Sequence, residues 1–475
     1  MMSKSVFAQE WVLLRHNPTW WAIFVLLLLL TIVAAFNGTA RYKQVAEVVD
    51  SLNMDELATQ SALQDSVARY EMNPVGNPPA VTSAGTVGLS LLGHYAIFPL
   101  DPLAALAVGQ SDVQPTYYRV TAHPSHTFLT ATEIQNPVNV LYGSFDVAFV
   151  IVFLLPIFII ALTFDLMSKE KERGVLGLVI AHGVSLKGFI VAKCLARALL
   201  IFLILLVLGV VALVLTGAEL GNAAVWARFS LWFSVVALYA FFWFALALFV
   251  NAWNQASVTN GVVLANLWLV FVVVLPAFAN IVATTLYPAP SRVKLTTEMR
   301  EAAELAEQQA AESREAYYFD HPELSGDSAV ADAFFIQVLA TDAAVERVVA
   351  PLMQEFDVQA ASRQDVVELI QFTSPAIMVQ NALNLIAGTG SEHFQDFNAQ
   401  VINFHERWRG FFTGRILRGE PMTASAFDNI PRYIHEPRGV GILAAGVTGP
   451  LVGLAFFVIL IAASAIRRYS RYPVV

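Results

Sequence analysis

The sequence contains little charge and almost no cysteine. Asp, Glu, Lys and Arg make up 14% of the 475 residues, and hydrophobic residues make up 57%. Soluble domains have about 45–50% apolar and about 25% charged residues, so this composition excludes an ordinary soluble protein and indicates a membrane protein. The single cysteine, Cys194, excludes an internal disulfide. A P-loop (Gly-x-x-x-x-Gly-Lys-Ser/Thr) is also absent, so the chain has no such cradle for nucleotide phosphates.

Six apolar runs are long enough to cross a bilayer as helices, which takes about 20 residues. They are 20–36, 145–164, 198–216, 229–250, 258–286 and 441–466. Three contain a proline (Pro156, Pro276 and Pro450), and we expect kinked spans because neighbouring helices can satisfy the freed carbonyls. Residues 1–19 predict an amphipathic helix in the cytoplasmic interface. A cleaved signal peptide at the first run is the less favoured alternative.

Basic residues predict the orientation, because Lys and Arg concentrate on the cytoplasmic side of membrane proteins. With both termini in the cytoplasm, that side includes the loop 165–197 and the tail 467–475. It then carries Lys4, Arg15, Lys169, Lys171, Arg173, Lys187, Lys193, Arg197, Arg467, Arg468 and Arg471.

Two long segments, 37–144 and 288–438, then face outward. The second is rich in helical patterns, with helices expected at 329–356 and 365–385. The predicted fold is therefore an all-α polytopic membrane protein with six transmembrane helices and a mostly helical extracytoplasmic domain. Within that domain Phe397, Phe404 and Trp408 recur at helical spacing and predict a packed core.

Five charges of mixed sign stand together at residues 169–173, between the second and third apolar runs. The lysines fit the orientation rule, but acidic residues contribute little to it, so Glu170 and Glu172 need another explanation. Gly174 then predicts the end of a short helix. The pattern indicates a surface that docks a partner, and the simpler alternative is a solvated membrane flank.

The stretch "KEKERGVLGLVIAHGVSLKGFIVAKCLARAL" resembles the conserved cytoplasmic loop of ABC-2-type transporter permeases. The matching positions are Glu172, Arg173, Gly174, Val175, Leu176, Ala192 and Lys193. Val175 and Ala192 depart from the commoner Thr and Gly. The resemblance implies that the loop contacts an ATP-binding subunit and passes on the work of ATP hydrolysis. The implied coupling residues are Lys169, Glu170, Lys171, Glu172, Arg173, Gly174, Val175 and Leu176.

Residues 372–412 resemble the signature of one branch of these permeases, which carries a large extracytoplasmic domain of unknown function between spans five and six. More remotely, this branch is grouped with the permease that serves copper loading of nitrous oxide reductase. The matching positions are Ser374, Pro375, Gln380, Leu383, Ala387, Gly388, Thr389, His393, Phe397, Phe404, His405, Trp408 and Arg409.

The resemblance implies the permease subunit of an ATP-driven exporter in the bacterial inner membrane. The expected partners are an ABC ATP-binding subunit, which would hold ATP and Mg, and a second permease chain, identical or related. We expect no cofactor in this chain and no enzymatic activity of its own. The alternative is mechanotransmission, in which ATP-driven motion remodels or loads a periplasmic protein without solute flux.

Histidines in the outward segments raise the question of a metal site. His123 and His126 are three residues apart, and His393 and His405 lie in predicted helices. No Cys or Met-rich run accompanies them, so the donor set is poor. We therefore expect no metal, with His405, Trp408 and Arg409 forming one packed helix face.

Overall fold

The structure is a computed structural model that describes residues 10–12, 15–75, 78–109, 111, 114–129, 145–177, 185–288, 297–298, 300–301, 304–305 and 333–472. Most of these residues are helical. In chain order the helices are α1 (Pro18–Met72), α2 (Ser125–Leu129), α3 (Val147–Phe149, a π-helical stretch Val150–Leu154, and Leu155–Thr163), α4 (Ser168–Glu172), α5 (Leu186–Leu215), α6 (Ala223–Asn251), α7 (Ser257–Leu286), α8 (Ala333–Ile370), α9 (Pro375–Ala387), α10 (Ser391–Arg418), α11 (Ala424–Phe427) and α12 (Val440–Tyr469).

Among the residues that the structure describes, six helices are long and apolar enough to cross a membrane: α1, α3 with α4, α5, α6, α7 and α12. Each corresponds to one of the six predicted runs, with bounds that differ by up to two residues where a helix does not cover the whole run. Two differ from the predicted bounds in an informative way. Helix α1 continues without a break to Met72, well past the predicted exit at residue 36. Helix α5 begins at Leu186, so the second half of the predicted loop 165–197 is helical.

The six helices form a bundle with its core around α6. Trp232, Tyr239, Phe242 and Trp243 of α6 are almost wholly inaccessible and belong to one large apolar cluster. Helix α6 packs most extensively on α12 and also on α3. In contrast, α7 and α12 leave most of their apolar side chains uncovered. Such faces suit contact with lipid tails, which are as apolar as the side chains.

Three prolines, Pro156, Pro276 and Pro450, interrupt backbone hydrogen bonding in the bundle, and a hydroxyl group compensates at the first two. Proline lacks the N–H that would reach a carbonyl four residues back in an α-helix or five back in a π-helix. Pro156 follows the π-helical stretch of α3, and the Tyr239 hydroxyl donates to the Val152 carbonyl at 2.8 Å. Pro276 follows a π-helical stretch in α7, Leu269–Val274. There the Ser374 hydroxyl donates to the Phe271 carbonyl at 2.6 Å.

A second core lies at the far end of the bundle and is built from both long segments between membrane helices. Val67 near the end of α1 joins Ile336 of α8 and the α10 residues Phe397, Phe404 and Trp408 in one apolar cluster. The predicted packing of these three aromatic residues is thus confirmed, since each is at most 1% exposed. A two-stranded antiparallel sheet also contributes, formed by β1 (His94–Ile97) and β2 (Tyr117–Val120) with His94 opposite Val120.

The predicted helix boundaries in the second long segment were partly wrong. The expected gap between 356 and 365 is helical, because α8 runs from Ala333 to Ile370. The break comes instead at Ser374, whose side chain accepts a hydrogen bond from the Ile377 N–H and so caps α9. Proline at the first helical position favours the same start. Most of the Ala- and Glu-rich stretch at 296–318 lies outside the described residues.

Helix α9 packs into the membrane bundle and not into the second core, although we expected it in the extracytoplasmic domain. Its buried residues Met378, Val379, Leu383 and Ile386 belong to the same cluster as the core of α6. It contacts α6, α12 and the π-helical part of α7. Its apolar composition explains this position, because burying apolar surface is favourable at about 25 cal/mol per Å².

We predict that the cost of removing the Ser374 hydroxyl depends on Pro276. Ser374→Ala should lower the free energy of unfolding by about 1–2 kcal/mol, since it leaves a buried carbonyl without a donor. In a Pro276→Ala background, which restores a backbone N–H, the same substitution should cost clearly less. Thermal unfolding of the four purified proteins in one detergent measures the difference. Equal costs in both backgrounds would contradict this explanation of the contact.

Candidate functional site

The charged segment lies at the end of the bundle opposite the second core, which we call the charged end: residues 165–177 with the start of α5 and the end of α12. Helix α4 ends at Glu172, and Gly174 follows with φ of +69°. This left-handed conformation suits glycine and terminates helices. The Val175 N–H donates to the Glu170 carbonyl at 2.9 Å and closes the turn. A Cβ atom at Gly174 would meet nothing within 4 Å, so backbone conformation and not space requires the glycine.

Both acidic residues of α4 have partners inside the chain. Glu170 forms an ion pair with Lys193 of α5, whose side chain is only 5% exposed. Glu172 accepts a hydrogen bond of 2.8 Å from the Ser257 N–H, one of the unpaired donors at the start of α7. The sequence did not predict these intrachain contacts, and the role of both acids in coupling stays a prediction. They hold α4 against two membrane helices.

Two cations predicted to lie at the membrane interface are buried in the bundle. Lys193 and Arg197 are each 4% exposed, because α5 begins early and carries them inward. Arg197 pairs with Glu10, which is also buried, and two of its guanidinium nitrogens lie 2.8 and 3.0 Å from a carboxylate oxygen. Its guanidinium also stacks 4.1 Å from the Trp20 ring. Burying a charge is costly unless it is paired, and these contacts tie α5 to the N-terminal end of the chain.

The turn after α4 has an inner and an outer side. Leu176 is buried in a small cluster with Met167, Phe189 and the α12 residue Tyr469. Arg173 and Val175 point outward and are exposed. Residues 178–184 lie outside the described residues. Lys171 and Glu172 are exposed as well, but their side chains are hydrogen-bonded to Asn254 and to the Ser257 N–H. Among the described coupling residues, we therefore take Arg173 and Val175 as the side chains most available to a partner.

The second predicted set of site residues lies near the other end of the bundle and divides in two. Ser374, Pro375, Gly388 and Thr389 stand at the ends of α9. Gly388 ends the helix with φ of +73°, and the buried Thr389 hydroxyl donates to the Ala107 carbonyl at 2.8 Å. Together with the Ser374 contact, these hydrogen bonds fix both ends of α9 in the bundle.

The remaining signature residues pack in the second core. Trp408 lies against Phe404 and Phe412, and Arg409 forms an ion pair with Glu346 of α8 at 2.6 Å. His405 donates through Nε2 to the His123 carbonyl at 2.7 Å. Burial lowers the pKa of His405 below its ordinary value, so it is neutral at pH 7. These residues stabilise the fold of the second core.

The histidines of the outward segments are in two places: His405 lies beside His123, whereas His393 lies beside Arg438. His123 faces Asp342 at 3.1 Å. Burial and then Arg438 lower the pKa of His393 to about 4. Within the part of the chain that the structure describes, no three His, Cys, Asp or Glu side chains are placed to hold a metal ion.

Sequence reasoning missed a charged junction between the bundle and the second core. Arg228 at the start of α6 forms an ion pair with Asp101 and donates to the Arg438 carbonyl at 3.2 Å. Arg438, just before α12, pairs with Glu392 at 2.7 Å and with Asp396, both on α10. In the sequence, each of these two arginines stands beside an apolar run, and this position could have indicated the junction. The junction holds α6, α10 and the start of α12 together.

The fold and the two ends define a multi-pass membrane protein with a second core beyond the bundle. A family model described as a domain of unknown function (DUF3526) matches residues 292–436. The match covers less than a third of the chain and includes α8, α9 and α10. No curated protein and no solved structure matches the chain.

We predict that the contribution of Glu170 to the free energy of unfolding depends on the presence of Lys193. Glu170→Gln alone leaves a buried ammonium unpaired and should lower the free energy of unfolding by about 3 kcal/mol. The double variant Glu170→Gln, Lys193→Met removes both charges and should recover most of this loss. Thermal unfolding in detergent measures both effects. A double variant as unstable as the single one would show that the two side chains are not paired.

Proposed function

We propose that this chain is the membrane subunit of an ATP-driven transporter of the ABC-2 type. The observation that carries the proposal is the outward turn at residues 173–177. Helix α4, directly before the turn, is held to α5 by Glu170 and to α7 by Glu172, and Leu176 of the turn packs in a cluster with Tyr469 of α12. A force applied to this turn therefore reaches three membrane helices at once. The proposal extends to an ATP-binding partner because the chain has no P-loop of its own.

The basic residues favour the charged end as the cytoplasmic one. Exposed cations cluster there, namely Lys171, Arg173, Lys187, Arg467 and Arg468. The positive-inside rule then places both termini in the cytoplasm and the second core outside. We propose the bacterial inner membrane as the location, since ATP is available on that face and the sequence resembles bacterial permeases.

Helix α1 would transmit the proposed movement across the membrane, because it has contacts at both of its ends. It has 55 residues in one helix, which is about 80 Å at 1.5 Å per residue. Near its beginning, Trp20 stacks on Arg197 of α5. Near its end, Gln64 donates to the Ala424 carbonyl at 3.0 Å and Val67 packs in the second core. One helix thus touches both ends of the molecule.

In this proposal ATP and Mg bind to the partner, and the chain itself is not an enzyme. Two permease chains, identical or related, pair with two ATP-binding chains. Closure of the ATP-binding pair pulls on the turn after α4, and the bundle switches between two states. A ligand shifts such an equilibrium only through contacts that differ between the states. We favour export, as the resemblance implies.

A second candidate function is mechanotransmission without solute flux. It is favoured by the continuity of α1 with the second core and by the charged junction through Arg228 and Arg438. These contacts would carry bundle movement to the second core, which would act on a periplasmic protein. Reconstituted liposomes separate the candidates, because only an exporter accumulates a solute during ATP hydrolysis.

We predict that changing the outward side of the turn uncouples the ATP-binding subunit. The double variant Arg173→Glu, Val175→Asp should remove two contacts with the ATP-binding subunit. One is an exposed ion pair worth about 0–1 kcal/mol, and the other is an apolar contact worth about 1–2 kcal/mol. Permease-dependent ATPase activity of the complex should fall about ten-fold or more. The single variants should fall less.

The matched control is Arg467→Glu, which makes the same charge change at an exposed position of the charged end. It should leave the ATPase activity of the complex near the wild-type value. Thermal unfolding of each variant checks that the bundle is intact. Wild-type ATPase activity in the Arg173, Val175 double variant would reject this turn as the coupling contact.

A further inference from the structure

A cavity of about 830 Å³ lies where the bundle meets α8, α9 and α10. Its walls come from the second halves of α8 and α7, from α9, from the start of α10 and from the start of α12. Two of the lining residues are Pro276 of α7 and Pro450 of α12, where helix hydrogen bonding is interrupted. Its volume falls within the range of about 300–1,000 Å³ typical of small-molecule sites.

The lining of the cavity combines two kinds of side chain. One group is apolar and includes Pro276, Ala279, Ala382, Leu385 and Pro450. The other consists of side-chain amides, which are Asn280, Gln359, Gln371, Asn381, Asn384 and Gln395. A lining with both kinds of side chain suits a ligand that has both polar and apolar surface.

The amides of α9 are already oriented by their neighbours. Asn381 donates to the Gln371 side-chain oxygen at 3.3 Å, and Asn384 accepts from Gln380 at 3.0 Å. Each asparagine can make further hydrogen bonds, because its amide has two N–H donors and an oxygen with two lone pairs. Side chains that both donate and accept match hydroxyl groups, which also do both.

The charges around the cavity argue against an anionic ligand. The described lining residues include no Lys, Arg or His. Glu392 is paired with Arg438 at 2.7 Å, and Glu368 also makes an interaction within the protein. A phosphate group would therefore find no cation here, and its burial would be costly.

We propose that this cavity binds an uncharged, hydroxyl-rich head group such as a sugar, with the apolar lining residues contacting an attached aliphatic part. This assignment rests on the proposed function, and it names the class of substrate that the permease would carry. Its test uses the permease alone, so a failure to bind would leave the coupling contact untouched.

The experiment is native mass spectrometry of the full-length protein with three probes: diglucosyl diacylglycerol, maltose and dioleoyl phosphatidylglycerol. We expect retention of the glycolipid and weaker or no retention of the phosphatidylglycerol. Asn381→Leu with Asn384→Leu should weaken glycolipid binding about ten-fold or more, the effect of losing about 1.4 kcal/mol of hydrogen bonding. Competition by maltose would identify the sugar itself as sufficient, and its absence would identify a lipid-linked sugar.

Asn266→Leu is the matched control, since this exposed amide of α7 bonds its own helix at Val262 and does not line the cavity. It should bind the glycolipid like the wild type. Ala279→Trp, which fills the cavity from α7, provides a second test if the double variant unfolds. Equal binding of both lipids, binding of neither sugar probe, or unchanged glycolipid binding in both cavity variants would overturn the proposal.

Discussion

Lys193 and Arg197 stand four residues apart on α5, in a bundle whose buried side chains are mostly apolar. A buried cation is tolerated only with a partner, and the arrangement of the charged end follows from this requirement. Glu170 must approach Lys193, which places α4 against α5. Glu10 must approach Arg197, which brings the N-terminal end of the chain to the same helix. One of the mixed charges at 169–173, that of Glu170, is thus explained by a cation buried further along the chain.

Away from the charged end, the bundle must satisfy a similar requirement: backbone carbonyl groups that have lost their donors need new partners, as the buried cations do. Pro156 and Pro276 remove backbone donors in α3 and α7, and Tyr239 and Ser374 supply hydroxyl donors. The second of these contacts requires α9 to enter the bundle, although α9 lies between two helices of the second core in the chain. Satisfaction of backbone polar groups in an apolar environment therefore links the two parts of the molecule. It also creates the boundary at which the amide-lined cavity is found.

Much of this structure could be predicted from periodicity and composition. The six apolar runs each correspond to a membrane helix, Gly174 ends α4, and Phe397, Phe404 and Trp408 pack together. These features depend on local sequence or on a simple hydrophobic pattern. The partners of Glu170 and Arg197, the position of α9 and the junction at Arg228 depend on residues distant in the chain. Such pairings carry no local signal, so a single sequence could not reveal them.

We propose that the exposed turn after α4 receives an ATP-binding subunit. The most direct measurement places a photo-reactive amino acid at Val175 in the full-length chain, irradiates intact cells and identifies the captured polypeptides by mass spectrometry. Tyr117, at the other end of the molecule, provides the control position. We expect position 175, and not position 117, to capture a protein with the Gly-x-x-x-x-Gly-Lys-Ser/Thr sequence. Capture of no such protein at position 175, or equal capture at position 117, would contradict it.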